Sequence, residues 1–211
     1  MDFSILIPTL HSRKNLFDKL LSEVQRQINE IKTAKIEVLY EVDNRELTLG
    51  AKRNLLISRA FGKYCCFVDD DDVISPNYLK TFLPMLEEDY DCASIVGAYY
   101  HKGNFIKLFY HSLDVKEWYE TYDRYWRSPS PLNMIKTEIC KKVQYADIRD
   151  TEDHEFSKRL ITSGLLQKEY KIPFQPIYHY VDGIKDDREK WVHSWMGNYL
   201  ALNNKTRLGF I

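Results

Sequence analysis

Apolar and polar positions along the chain follow two periods, and the switches between them lay out an alternation of strands and helices. Phe3-Ser-Ile-Leu-Ile7 is a short apolar run stopped by Pro8, the pattern of a buried parallel strand feeding a loop. From Lys14 to Ile31 the spacing changes: Leu16, Leu20, Val24, Ile28 and Ile31 recur at steps of three or four, which predicts a helix with one apolar stripe. Ile36 to Val42 returns to a strand pattern, and Asp43 and Asn44 open a polar loop. Strand, helix, strand is a βαβ opening, so the chain is expected to be α/β, with a mixed, mainly parallel sheet flanked by helices.

Thr48 is placed to cap a helix running through Arg53-Asn54-Leu55 to Ala60, and Gly62 is expected in the left-handed conformation that ends one. The next strand, Tyr64 to Val68, runs straight into Asp69-Asp70-Asp71-Asp72. Ser75 as N-cap and Pro76 at the first helical position then predict a helix ending near Glu88. Four carboxylates therefore occupy the loop at a strand's carboxyl end, where open α/β sheets bind their ligands.

Beyond residue 90 the pattern is less regular. Strands are predicted at Ala93 to Tyr99 and Phe105 to Phe109, an aromatic-rich helix from Asp114 to about Trp126, and a helix from Thr151 to Ser163 closed by Gly164. Strands at Gln167 to Ile172 and Ile177 to Val181 follow. A polar loop, Asp182 to Asp187, with Gly183 as hinge, could close over a ligand, and a last helix carries Trp191 and Trp195. No repeat or linker interrupts the chain. Residues 1–211 read as one domain with an N-terminal half, 1–100, for the first ligand and a C-terminal half, 101–211, for the second, and that domain could belong to a longer polypeptide.

Composition narrows the partners. With 29% charged residues and a net charge of -1, there is no general electrostatic pull towards nucleic acid or an anionic membrane, so any anionic ligand must be held locally. No basic-then-apolar leader precedes the first strand, and no apolar run approaches the ~20 residues that cross a bilayer, which predicts a chain without a transmembrane segment in a reducing, cytoplasmic setting. Cys65, Cys66, Cys92 and Cys140 lack C-x-x-C spacing and read as small buried hydrophobes. In such a compartment the sequon Asn204-Lys205-Thr206 is inert. The 15 tyrosines and four tryptophans suit a core first and the apolar face of a sugar ring second.

Consecutive carboxylates repel one another in a dry site, so water or a cation must keep Asp69 to Asp72 charged. A hard divalent ion, Mn2+ or Mg2+, takes oxygen ligands and completes its shell with water and phosphate, bridging protein to a diphosphate. A solvated acidic turn explains the cluster alone equally well. Around it, however, stand Arg53-Asn54, then Gly62-Lys63-Tyr64, then Phe67-Val68 before the four aspartates. This block resembles the family-2-like glycosyltransferases of the GT-A fold, whose pattern is an Arg-Asn pair, a small residue and Gly, an apolar strand and Asp-x-Asp-Asp. The resemblance extends to Ile7-Pro8-Thr9, to Asp43 and to Glu152-Asp153, an ordered set spanning about three quarters of the chain.

The resemblance implies a nucleotide-binding, Rossmann-like GT-A domain that moves a hexose from a nucleoside-diphosphate sugar, UDP-glucose by default, to a hydroxyl of a glycan or glycoprotein. Pro8, Thr9 and Asp43 would line the nucleoside pocket with Arg53 nearby, Asp69 would approach the ribose with Asp70 beside it, and Asp71 would ligate the metal. Asp153 would be the base of an inverting displacement and Glu152 would help to place the acceptor, although a retaining outcome stays open. His154 departs from the family pattern after that pair. On charge grounds Arg13 and Lys52 are added as diphosphate neighbours, against the alternative of exposed charges; the resemblance to GT-A enzymes adds His179, on a strand-like run, as a second metal ligand, against the alternative of a packed histidine. The short chain also resembles glycosyltransferase domains encoded by large algal DNA viruses, which would act in the host cytoplasm. Two other readings are a nucleotidyltransferase, for which the Gly-rich phosphate loop is missing, and a nucleotide-sugar or carbohydrate-binding module without turnover. A haloacid-dehalogenase phosphatase would need an Asp-x-Asp after the first strand, and that strand ends without carboxylates.

Overall fold

The computed structural model of the protein describes residues 1–183. Its strands are β1 (Phe3–Leu10), β2 (Ile36–Asp43), β3 (Tyr64–Phe67), β4 (Val73–Ile74), β5 (Cys92–Ala93), β6 (Ile95–His101), β7 (Asn104–His111), β8 (Tyr119–Glu120), β9 (Arg124–Arg127), β10 (Ile135–Lys136), β11 (Glu169–Tyr170) and β12 (Tyr178–Asp182). Its α-helices are α1 (Lys14–Glu30), α2 (Leu49–Arg59), α3 (Tyr78–Thr81), α4 (Thr137–Val143) and α5 (Glu152–Ser163). The strands form two sheets of six, in the orders β11-β5-β10-β3-β1-β2 and β4-β12-β6-β7-β9-β8. The first is parallel through β3, β1 and β2 and antiparallel at β10. The fold is α/β and mixed, as the strand and helix periods predict.

Strand β1 is apolar on both sides because both of its faces are covered. Phe3, Ile5 and Ile7 join Phe17, Leu20 and Val24 of α1 in one core cluster, while Leu6 joins Leu56 and Ile57 of α2 in another. Cys65 and Cys66 split the same way, one to each cluster, and all four cysteines are buried and free. Thr48 caps α2 by accepting from Ala51 N–H at 3.0 Å. Gly164 ends α5 with φ 64°.

Several expectations fail, each for a local reason. Gly62 does not have a positive φ; it is needed because a Cβ there would lie 2.6 Å from Phe3 C and Ser4 N. The helix expected from Ser75 to Glu88 shrinks to α3 and a 3-10 turn, Leu83–Leu86, since Pro84 cannot donate within a helix. Ser75 caps nothing with its side chain, which donates to Pro176 O at 3.0 Å; Gln27 of α1 instead donates to Ser75 O and accepts from Leu79 N–H. The aromatic helix from Asp114 is the antiparallel pair β8 and β9, where Tyr119 stacks on Trp126 at 5.9 Å and Tyr122 sits 98% exposed at the turn. Aromatics spaced by three and four fit a helix, but cross-strand ring pairs hold them better here.

The division at residue 100 also fails to separate two halves. It falls at the tip of the β6–β7 hairpin, and each sheet takes strands from both sides of it. The last helix and most of the Asp182 to Asp187 loop lie outside the described residues. Among the described residues, no helix is long and apolar enough to cross a membrane.

Candidate active site

Register builds the site. Pairing Leu6 with Phe67 and Leu10 with Asp43 brings the carboxyl ends of β1, β2 and β3 level. Thr9, Asp43 and the aspartate loop then face one cavity of about 770 Å³, whose walls include Pro8, Thr9, Arg13, Asp43, Lys52, Asp69, Asp70 and Asp71. A second cavity of about 400 Å³ adjoins it, lined by Arg53, Trp118, Tyr125, Arg127 and Asp153 among others. Asp69 and Tyr180 belong to both walls, so the two spaces meet at these residues.

The four aspartates differ in direction. Asp72 is buried: Tyr178 O–H donates to it at 2.7 Å and Val181 N–H at 2.9 Å. Burial, with Asp71 and Asp69 nearby, pushes its carboxyl well above the usual range. Asp70 is also turned inward, accepting from Thr9 Oγ1 at 2.6 Å and Arg13 Nη1 at 2.9 Å, and burial raises its carboxyl despite both partners. Asp69 and Asp71 keep exposed surface. Asp71 pairs with Arg13 at 3.0 Å, and Asp69 with Arg53 at 3.1 Å.

Cation partners explain the rest of the geometry. Lys52 is buried and donates to Thr9 O at 2.7 Å and to Asp43, whose carboxyl burial would raise but whose bonds to Lys52 and Leu47 N–H hold it below the usual range. Its charge is thus engaged by Asp43 instead of lying open to a diphosphate. Arg53 is buried between Asp69 and Glu152, the latter at 3.3 Å, with its guanidinium 4.7 Å from the Phe67 ring centroid. Glu152 is buried, its carboxyl raised by that burial, and reaches the site only through Arg53. Asp153, next along α5, does line the second cavity.

His179 is placed differently from a metal ligand. It is fully buried, with Nε2 3.1 Å from Ser75 Oγ and Nδ1 3.4 Å from Tyr100 OH, so both ring nitrogens face protein hydroxyls. Packing, not coordination, accounts for it. No three ligating side chains converge among the described residues.

Comparison with known proteins gives the chain its family and its fold. The family model of glycosyl transferase family 2 covers residues 18–144, more than half of the chain. The chain belongs to glycosyl transferase family 2. That match takes in Asp43, Lys52, Arg53 and the aspartate loop, and ends before Glu152 and Asp153. The uncharacterized glycosyltransferase MJ1057 of Methanocaldococcus jannaschii is 26% identical over 170 residues, 77% of this chain and 55% of that protein. The crystal structure of S. aureus TarS 1-349 in complex with UDP superposes with a TM-score of 0.64 at 19% identity, covering 86% of this chain and 60% of that one. Its complex with UDP-GlcNAc gives 0.62 at 17% identity, covering 90% and 61%. At these identities the structures establish the GT-A fold; the chain spans less than two thirds of the length of these relatives, and none of them points to a viral source.

In this family-2 chain, several lining residues carry no sequence signal of their own. Arg149 lines the larger cavity because the loop before α5 folds back on α2: Gly50 N–H donates to Ile148 O, and a Cβ on Gly50 would lie 1.8 Å from Ala146 O. Asn54 fixes that loop, with Nδ2 donating to Tyr145 O at 2.9 Å and Oδ1 accepting from Tyr145 N–H at 2.8 Å. Trp118, Arg127 and Tyr180 reach the smaller cavity through the second sheet. Their ring and charge content alone does not distinguish them from other surface residues.

Proposed function

We propose that this chain transfers a sugar from a UDP-sugar, held in the larger cavity, to a saccharide hydroxyl held in the smaller one. One observation carries the reading: the two cavities meet at Asp69, with the donor-side aspartates on one wall and Asp153 on the other. The UDP and UDP-GlcNAc complexes of the similar TarS support a uridine nucleotide as donor, and glucose and N-acetylglucosamine head the sugars to be screened.

In this reading Thr9 and Asp43 face the nucleoside, and Arg13 and Arg149 the diphosphate. Asp153 accepts the proton of the acceptor hydroxyl as its oxygen bonds to the anomeric carbon and the bond to the diphosphate breaks, which inverts that carbon. Asp69 and Asp71 are the two aspartates that keep exposed surface on the cavity, and their oxygens would suit Mn2+ or Mg2+. Such an ion supplies charge stabilisation to the leaving diphosphate.

Titrating UDP, GDP and CDP calorimetrically, with and without Mn2+, tests the donor assignment. UDP is expected to bind with a preference that requires Mn2+ and to lose it in Asp71→Ala. Absence of nucleotide binding in every condition returns the aspartate loop to an acidic turn and ends the transferase reading.

A further inference from the structure

Arg53 and Arg127 line the smaller cavity, and of these two Arg127 is the one without an ion pair among the described residues. Arg13 is paired with Asp70 and Asp71, and Arg53 with Asp69 and Glu152. Arg127, half-buried on the wall of the smaller cavity, makes no ion pair among the described residues; its side chain's one hydrogen bond among them is a long one, 3.5 Å, to the carbonyl of its neighbour Trp126. What holds it is aromatic. Its guanidinium carbon lies 4.5 Å from the Trp118 ring centroid and 5.1 Å from that of Tyr125.

A guanidinium braced by rings, with its fork of N–H groups unspent, is preorganised for a planar or tetrahedral oxyanion. The carboxylates on this wall do not compete closely, since Asp69 is paired with Arg53, Asp72 accepts from Tyr178 and Val181, and no oxygen of Asp153 comes within ion-pair distance of Arg127. The surrounding faces of Tyr99, Trp118 and Tyr125 suit the apolar side of a sugar ring.

We propose that the saccharide received in the smaller cavity carries an anionic group, a carboxylate or a phosphate, and that Arg127 is the residue that recognises it. This rests on the reading of that cavity as the acceptor side, and it makes the acceptor an acidic glycan or a phosphorylated sugar instead of a neutral one. Arg127 sets specificity and takes no part in bond making.

The test measures binding of glucose, glucuronate and glucose 6-phosphate to protein saturated with UDP and Mn2+, by ligand-observed NMR at low and high salt. The anionic sugars are expected to bind at least about tenfold more tightly than glucose, with an advantage that shrinks as salt rises. Arg127→Gln should erase the advantage, and Arg127→Lys, which keeps the charge but loses the fork, should retain part of it. Whichever anionic sugar leads assigns carboxylate or phosphate. Equal binding of all three sugars, or a loss in Arg127→Gln that is the same for each, overturns the proposal. UDP binding is read in the same samples; its absence overturns the donor reading, while the sugar preference measured on the free protein still decides the role of Arg127.

Discussion

Asp69 to Asp72 are chemically identical, yet Asp70 and Asp72 are buried in hydrogen bonds while Asp69 and Asp71 keep exposed surface. Strand β12 makes the difference, because Tyr178 and Val181 capture Asp72 while Thr9 and Arg13 capture Asp70. Tyr178 also accepts from Asp69 N–H at 3.1 Å, so one hydroxyl ties both ends of the loop. His111 shows a second effect of burial at single-residue scale. It is buried beside Arg127, with Nδ1 2.8 Å from Ser130 Oγ, and its pKa is lowered to about 3 by burial first and by the Arg127 charge second. The unfolded chain therefore binds a proton at His111 below about 6.5 that the folded chain refuses until about pH 3. Stability is expected to fall as pH drops through that window, by roughly 1.4 kcal/mol per unit at most. Urea denaturation at pH 7 and pH 5 should show this slope, and His111→Gln should flatten it.

At the scale of elements, the site depends on α2 more than on any strand. One face of α2 buries Leu56 and Ile57 against the first sheet, its N-terminal turn receives the loop before α5, and Arg53 links it to both Asp69 and Glu152. Asn54 is the tether between α2 and that loop. Asn54→Ala leaves the N–H and C=O of Tyr145 without their partners, at a cost of about 1 to 3 kcal/mol for each group left buried. A lower melting temperature is expected, together with weaker UDP binding as Arg149 loses its place; a variant that melts with the wild type would show that the loop holds itself. The Arg-Asn pair was legible in the sequence through its spacing to the aspartates. Its partners were not, since Tyr145 is 91 residues away from Asn54 and Glu152 is 99 away from Arg53.

Across the whole molecule, two sheets divide the labour. The first brings the carboxyl ends of β1, β2 and β3 to the larger cavity, proposed for the donor, and the second supplies the aromatic wall of the smaller one, proposed for the acceptor. In the proposed reading transfer requires both, whereas binding of a nucleotide requires only the first. Asp153→Asn is accordingly expected to lower the transfer rate by about 10²- to 10⁴-fold while leaving UDP affinity unchanged. A coupled assay of UDP release, run beside calorimetry, separates a transferase from a binding module: unchanged turnover in the variant would remove Asp153 from the role of base.

The sequence by itself determined the alternation of strands and helices in the first 70 residues, the helix after Thr151, and the place of the aspartates at a strand end. Those features rest on local periods, caps and the order of short motifs, all of which act within a few residues. Only the tertiary structure decided that the aromatic run after Asp114 is a strand pair, that Gly62 is needed for close approach, that Lys52 and His179 are engaged by the protein, and that Arg127 faces a cavity. Gly62 against Phe3 and His179 against Ser75 are contacts between residues far apart in the chain, and even in the short β8–β9 pair packing and desolvation outweigh local preference.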